Sequence, residues 1–204
     1  MSIKAIVFDY GQVISYPQDP KALELLAQRA GVDREKFVPL VWALRDEYDR
    51  GTVNGRGYYN KILSSLGVSM DDEGLDALVE IDHASWRNIN PGTVALMEEV
   101  KKAGYTLGIL SNMPYDFLAY ARKNIPVFSL PHVSLFSCEV NLIKPEKAIY
   151  TKLLSMLGLK ATELVFFDDS SKNIESARTL GMEAFLWEKA ETARRVLLSL
   201  GVKL

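Results

Sequence analysis

The sequence predicts an α/β fold in which a parallel sheet alternates with helices, and a helical segment is inserted after the first strand. Two short apolar runs end on acids, Ala5-Ile6-Val7-Phe8 before Asp9 and residues 164–167 before Asp168. Such runs, bounded by turn residues, are typical of buried strands, although periodicity alone does not distinguish them from a buried helical turn. From residue 91 onward, strand-like and helix-like segments alternate, which indicates parallel strands joined by right-handed crossovers.

Residues 16–89 show helical spacing and almost no strand signal. Apolar residues recur every three or four positions in four segments, and glycines at 31, 51 and 67 end the first three. Short connections between four helices favour a small bundle. We therefore predict a core formed by residues 1–15 and 90–204, with an all-helical insert at 16–89.

The second half of the chain follows the break at Asn90-Pro91-Gly92. We expect helices near 93–103, 116–124, 146–157, 172–180 and 190–200, and strands near 105–110, 135–138, 164–167 and 183–186. With the first strand, these make five strands of one parallel sheet.

Composition excludes several classes of function. The chain has 204 residues, a formal net charge of −2 and a single cysteine, Cys138. No basic surface indicates nucleic acid or an acidic membrane as a partner, and no internal disulfide is possible. The first residues do not resemble a signal peptide, and no apolar run is long enough to cross a bilayer. We expect a cytoplasmic protein, a monomer or homodimer, that contacts neither membrane nor nucleic acid.

Polar residues follow the ends of several predicted strands or lie just beyond them. Asp9, Ser111-Asn112, Lys144 and Asp168-Asp169 occupy these positions. Each alone is explained as a helix cap, a turn or a solvated loop residue. Parallel strands present their carboxyl ends at one edge, where open α/β sheets bind ligands, so we expect the four groups to form one site.

Three clustered carboxylates indicate a cation site. Like charges raise one another's pKa unless a cation lies among them, and hard oxygen ligands suit Mg²⁺. We predict that Mg²⁺ is held by Asp9, the backbone carbonyl of Gly11 and Asp169, with Asp168 as a further candidate ligand.

The same residues suit phosphoryl transfer through a covalent aspartyl intermediate. Asp9 would attack phosphorus, and Lys144 would neutralise the transferring oxygens. Ser111 and Asn112 would bind the phosphate, through the Ser111 hydroxyl and nearby backbone N–H groups. Asp168 would orient Lys144, and Asn173 would orient the acids or a metal-bound water.

These motifs resemble those of the haloacid dehalogenase superfamily, in particular its phosphatases with a helical cap after the first strand. The segments FDYGQV, LSN, IKPEKAIY and FFDDSSKN match its four motifs in order and spacing. Within the superfamily the chain is most similar to the α-D-glucose-1-phosphate phosphatase group and the phosphatase domain of soluble epoxide hydrolases. The resemblance implies a three-layer Rossmann-like core, Mg²⁺ dependence, a mobile cap over residues 16–89 and a small phosphorylated metabolite as substrate.

One position departs from that pattern. Phosphatases of the superfamily usually carry a second aspartate two residues after the nucleophile, as general acid and base, and here that residue is Gly11. General acid–base help is worth about 10²–10⁴-fold, so we expect a preference for leaving groups that need little protonation. Two alternatives stay open: a metal-independent dehalogenase in which Asp9 attacks carbon, and a catalytically weak phosphate-binding regulatory relative.

Other side chains of the insert have ordinary structural explanations. Aromatic residues at helical spacing are expected in its core: Trp42, Tyr58, Tyr59 and Trp86. Charged residues just before Gly51 are expected on a solvated helix face: Arg45, Asp49 and Arg50. Cys138 is expected as a buried residue of a strand.

Overall fold

Five parallel strands form one central sheet in the order β3-β2-β1-β4-β5. The structure is a computed structural model that describes residues 2–204. The strands are β1 Ala5–Phe8, β2 Thr106–Ser111, β3 Val133–Phe136, β4 Leu164–Asp168 and β5 Glu183–Leu186. The α/β fold class is therefore confirmed, and β1 is the central strand.

Helices connect the strands and cover both faces of the sheet. Outside the insert they are α6 Pro91–Lys102, α7 Tyr115–Asn124, the short α8 Ser137–Val140, α9 Lys147–Leu157, α10 Ser171–Thr179 and α11 Ala190–Ser199. Side chains of β1 alternate between the two faces because successive residues of a strand point to opposite sides. Ile6 and Phe8 join one buried cluster with α6, α7 and α11, and Ala5 and Val7 join another with α9 and α10. Two apolar layers therefore enclose the sheet.

The insert forms a third apolar cluster of its own. Its helices are α1 Pro20–Ala30, α2 Arg34–Ala43, α3 Arg45–Asp49, α4 Gly55–Ser65 and α5 Asp72–Ser85. Tyr58 and Tyr59 are buried in this cluster, as expected, with Phe37, Ile62 and Leu78. Where the insert leaves and rejoins the sheet domain, Ser15 and Ile89 form an antiparallel bridge. The domain boundaries at 15/16 and 89/90 remain a prediction.

Two elements differ from the sequence-based expectation. The second helix of the insert divides at Leu44, whose φ of −102° and ψ of 4° leave the helical region, so Arg45 begins a separate turn of helix. Strand β3 ends at Phe136, and Cys138 lies in α8. Its neighbour Ser137 explains the early end, because the Ser137 hydroxyl accepts a hydrogen bond from the Met113 backbone N–H (2.8 Å) and fixes the turn there.

Strand register brings the predicted site residues to one edge. Phe8 of β1 lies opposite Phe167 of β4 and Ile109 of β2, so the next residue of β1, Asp9, is level with Asp168. Within residues 2–204, no helix combines the length and apolar character that a membrane span requires.

Candidate active site

Asp9 leaves the central strand at the carboxyl edge of the sheet and begins a wide turn, Tyr10–Ile14. Its Oδ1 accepts a hydrogen bond from the Tyr10 backbone N–H at 2.7 Å and lies 2.8 Å from the Lys144 Nζ. These contacts hold the carboxylate in one orientation. Its other oxygen, Oδ2, has no hydrogen bond to any part of the described chain, so one oxygen of Asp9 is available for chemistry.

Lys144 is the cation of the site. It is 3% exposed, and its ammonium group contacts Asp9 Oδ1, Asp168 Oδ2 at 2.6 Å and the Leu110 carbonyl at 3.1 Å. Two of these contacts are hydrogen bonds, to Asp168 and the Leu110 carbonyl, and the contact with Asp9 is an ion pair. A buried lysine between two carboxylates is held far more rigidly than the solvated loop lysine considered from the sequence.

Asp168 orients this lysine and is itself held from the opposite side. The Asn173 amide donates to both Asp168 oxygens, at 2.9 Å and 3.1 Å, and the Ser170 backbone N–H donates to Oδ1 at 2.8 Å. Asn173 thus lies where the sequence placed it, beside the acids.

Ser111 and Asn112 follow β2, but the Asn112 side chain is already engaged. Its Oδ1 accepts from the Lys144 backbone N–H at 2.8 Å, and its Nδ2 donates to the Lys144 carbonyl at 3.0 Å. This amide therefore positions the loop that carries the lysine. The Ser111 hydroxyl is buried and donates a long hydrogen bond, 3.3 Å, to the Asn112 carbonyl.

The third acid of the cluster, Asp169, has a partner that the sequence analysis missed. Gln12 Nε2 donates to Asp169 Oδ2 at 2.6 Å, and Gln12 adopts the uncommon backbone angle φ of 59° that turns it toward the acids. Nothing in the local sequence identified this contact, because the two residues are 157 positions apart. One carboxylate oxygen from each of Asp9, Asp168 and Asp169 lies within 4.8 Å of the other two.

The electrostatics of the cluster favour a bound cation. Burial raises the pKa of Asp9 to about 7, and repulsion by the carboxylates of Asp168 and Asp169 adds to the rise, whereas Lys144 opposes it. Burial, followed by Asp168, also raises the pKa of Asp169. Burial lowers the pKa of Lys144, but Asp168 and Asp9 outweigh this effect and raise the pKa overall. Three acids and one lysine carry a formal charge of −2, which a divalent cation would balance.

A small cavity adjoins this cluster between the sheet domain and the insert. Its volume is about 120 Å³, and Gly11, Asn112 and Met113 line it on the side of the sheet domain. A Cβ atom added to Gly11 would lie 3.5 Å from Cζ3 of Trp86, an ordinary contact distance. The indole of Trp86 therefore lies beside the place where a side chain at position 11 would be.

The insert lines the other side of the cavity, which corrects two expectations. Trp42 and Trp86 belong to this wall rather than to the core of the insert, and Trp42 is 47% exposed. Arg45 and Asp49 also line it and do not lie on a solvated helix face, since they form an ion pair at 2.8 Å with side chains only 13% and 14% exposed. Helical spacing could not reveal this, because it groups residues by face without showing which element that face meets.

Residues just after α3 join the insert to the sheet domain. Arg50 forms an ion pair with Glu146 (2.6 Å) and donates to the Asn141 carbonyl (3.1 Å). Gly51 has a φ of 78°, and a Cβ atom there would lie 2.9 Å from the backbone of Cys138, so only glycine fits this approach without rearrangement. The insert is therefore seated closely on the segment that leads to Lys144.

Comparisons with known proteins agree with this geometry. Over residues 3–181 the chain matches the family described as haloacid dehalogenase-like hydrolase. A protein named phosphatase MT3486, from Mycobacterium tuberculosis, is 28% identical over 98% of this chain and 96% of its own length. Bifunctional epoxide hydrolase 2 of Mus musculus is 29% identical over 68% of this chain, a match that spans 26% of that longer protein.

Solved structures share the fold. The HAD family enzyme BT-2542 from Bacteroides thetaiotaomicron, in complex with magnesium and inorganic phosphate, is 21% identical, with a TM-score of 0.74 over 92% of this chain and 96% of that one. L-2-haloacid dehalogenase from Xanthobacter autotrophicus is 20% identical, with a TM-score of 0.68 over 99% of this chain and 85% of that one. The fold alone does not separate the two chemistries. With its match over residues 3–181 and its acid–lysine cluster at the carboxyl edge of the sheet, the chain belongs to the haloacid dehalogenase-like hydrolases.

Proposed function

We propose that this enzyme is a Mg²⁺-dependent phosphatase that hydrolyses a small phosphomonoester through a phospho-aspartyl intermediate on Asp9. The observation that carries the proposal is the convergence of Asp9, Asp168 and Asp169 within 4.8 Å, with Lys144 paired to the first two. A displacement at carbon with a halide as leaving group needs no such set of acids, whereas attack on a phosphate dianion requires a cation to offset repulsion.

The residues present fit Mg²⁺. The cluster offers only hard oxygen donors, and its formal charge of −2 matches a divalent cation. Asp9, Asp169 and the Gly11 carbonyl would be the ligands. Asp168 is the weaker candidate, because its oxygens already accept hydrogen bonds from Lys144, Asn173 and Ser170. When bound, the ion would screen the negative charges that meet as the nucleophile approaches phosphorus.

The chain's own residues account for the remaining steps. Asp9 attacks phosphorus through Oδ2, a P–O bond forms, and the bond to the leaving oxygen breaks with its electron pair. Lys144 neutralises charge on the phosphoryl oxygens, and the Ser111 hydroxyl and the backbone N–H groups after β2 donate to them. Water then attacks the phospho-aspartate, which releases inorganic phosphate and regenerates the Asp9 carboxylate.

The residue at position 11 affects which phosphate esters are hydrolysed fastest. Without an acid there, the leaving oxygen receives its proton from solvent, so esters of acidic alcohols, acyl phosphates and anomeric phosphates should react best. Relatives support phosphate as the transferred group: the Mycobacterium protein is named a phosphatase, and the Bacteroides enzyme was crystallised with magnesium and inorganic phosphate. We infer that the physiological substrate is a small phosphorylated metabolite, and that residues 16–89 act as a cap over it.

The test is release of inorganic phosphate from acetyl phosphate, p-nitrophenyl phosphate and sugar 1-phosphates, with Mg²⁺ and with EDTA. We expect turnover with Mg²⁺ only, and loss of turnover in Asp9→Asn. Mass spectrometry after acid quenching should detect a phosphorylated peptide that contains residue 9 in the wild type and not in the variant. Activity that survives EDTA and releases halide from a 2-haloacid would instead establish the dehalogenase. Tight phosphate binding without turnover of any substrate would establish the regulatory relative.

A further inference from the structure

The cavity beside the catalytic cluster has walls of aromatic and other apolar side chains. Its apolar members are Tyr10, Trp42, Trp86, Met113, Pro114 and Phe117. Its lining includes Gly11, two residues after Asp9, so a group that leaves phosphorus toward Gly11 would enter it. A dry apolar cavity of about 150 Å³ in another protein accommodates benzene, so a cavity of about 120 Å³, partly open to solvent, suits a single ring.

Several polar groups of these walls are already bonded to the protein. The Tyr10 hydroxyl donates to the Trp86 carbonyl at 2.7 Å, and the Trp86 indole N–H donates to Asp82 Oδ1 at 3.3 Å. The Asn112 amide is engaged on both sides with the Lys144 backbone. A polyol that meets these groups would therefore exchange its hydrogen bonds with water for few new ones, at a net cost.

Among residues 2–204, the cation that lines the cavity is Arg45, and it is also paired within the protein. Arg45 Nε lies 2.8 Å from Asp49 Oδ1, and Arg45 Nη1 lies 3.1 Å from Asp82 Oδ2. Two carboxylates against one guanidinium leave a formal charge of −1 at this end of the cavity. A second anionic group on the substrate would be repelled there, while an uncharged ring would not.

We propose, on the basis of the phosphatase function above, that the substrate is a phosphomonoester whose leaving group is one uncharged, largely apolar ring, and that Asp49 excludes leaving groups with a second negative charge. Trp42 would position this ring, because its half-exposed indole would lose contact with water when a ring enters the cavity. The lack of a proton donor at Gly11 fits the same class, since phenol-like leaving groups need little protonation.

Inhibition of acetyl phosphate hydrolysis by phosphonates tests the proposal, because acetyl phosphate places no ring in the cavity. We expect phenylphosphonate to bind about tenfold more tightly than methylphosphonate. This factor corresponds to the lower end of the free-energy range for moving an aromatic ring from water into an apolar site. We expect 4-carboxyphenylphosphonate to bind about tenfold more weakly than its uncharged isostere 4-carbamoylphenylphosphonate. Repulsion between the inhibitor's carboxylate and one uncompensated negative charge about 6 Å away would produce this factor at an effective dielectric constant near 40.

Two pairs of variants test whether Trp42 causes the preference for a ring and whether Asp49 causes the discrimination against charge. Trp42→Ala should reduce the preference for phenyl over methyl about threefold or more, while Leu25→Ala, at an exposed apolar residue elsewhere on the insert, should not change it. Asp49→Asn should bring the carbamoyl-to-carboxy ratio close to one. Asp46→Asn, which removes the same charge from an exposed position of the same helix, should leave the ratio near tenfold.

Equal binding of the phenyl and methyl phosphonates, or tighter binding of the carboxy compound in the wild type, overturns the inference and leaves the phosphatase function intact. So does a carbamoyl-to-carboxy ratio that is the same in Asp49→Asn as in the wild type. No hydrolysis of acetyl phosphate, by contrast, overturns the proposed function itself and the inference with it.

Discussion

Replacing Lys144 by methionine tests whether one buried ammonium group holds the acid cluster together. Methionine keeps most of the length and apolar character of the side chain but removes its charge, its two hydrogen bonds and its ion pair with Asp9. The change leaves Asp9 and Asp168 facing each other without a cation, in a site where Asp168 is fully buried. We expect the free energy of unfolding in EDTA to fall by about 3–5 kcal/mol, the usual cost of removing one partner of a buried ion pair.

For a chain of this size, that loss corresponds to a decrease in Tm of about 6–20 °C. Urea denaturation and thermal unfolding in EDTA both measure it. Lys147→Met is the matched control, because Lys147 is exposed on α9 and its replacement should change stability by less than about 0.5 kcal/mol.

A double variant separates charge from packing. In Lys144→Met with Asp168→Asn, the repulsion between the two carboxylates is gone, so the total loss should be clearly smaller than the sum of the two single losses. A loss below about 1 kcal/mol for Lys144→Met, or strictly additive losses in the double variant, would refute the view that this lysine stabilises the folded protein by screening two buried acids.

Three further predictions concern the surroundings of the site. Gln12→Leu, which removes the hydrogen bond to Asp169, should raise the Mg²⁺ concentration for half-maximal phosphatase activity about tenfold; an unchanged value would contradict a role for Gln12 in orienting this ligand. Arg50→Gln breaks a partly exposed ion pair between the insert and the sheet domain, so the free energy of unfolding should change by less than about 1 kcal/mol while KM rises. Arg56→Gln, whose ion pairs lie within the insert, should leave KM unchanged. Equal effects of the two variants on KM would contradict a role for the Arg50–Glu146 ion pair in substrate binding. Burial lowers the pKa of His83 below its ordinary value of 6.5, so the unfolded chain binds this proton at a higher pH than the folded chain does, and the free energy of unfolding should fall as the pH drops below about 6.5. His83→Gln should reduce the dependence of the free energy of unfolding on pH between pH 7 and 5. An unchanged dependence would contradict a contribution from His83.

Much of the acid–lysine cluster could be predicted from short stretches of sequence. Asp9 and Asp168 each follow a run of four apolar residues, and parallel strands place their carboxyl ends at one edge whatever the details of packing. The pairing of Lys144 with Asp168 was predicted on chemical grounds, and the structure places them 2.6 Å apart. The placement of these residues could be predicted because strand ends and charge complementarity are local properties, and their roles stay predictions.

The contacts that hold the acids and Lys144 in place could not be predicted in this way. The Asn112 side chain holds the backbone of Lys144, because the loop beyond β3 returns to within hydrogen-bonding distance of it, and phosphate binding at Ser111-Asn112 stays a prediction. Gln12 reaches Asp169 only through a positive φ angle, which residue identity did not indicate. Both contacts depend on how two distant loops meet.

The sequence by itself determined the α/β class, the position of the acids at the ends of two strands and the absence of a carboxylate at position 11. Only the tertiary structure decided that Trp42 and Arg45 line the cavity beside Gly11 rather than the interior of the insert or a solvated face. The reason is that helical periodicity defines the faces of a helix, whereas burial of each face depends on the element packed against it. For Arg45 that element is α5, which supplies Asp82 from 37 residues away and, with Asp49, pairs the guanidinium with two carboxylates.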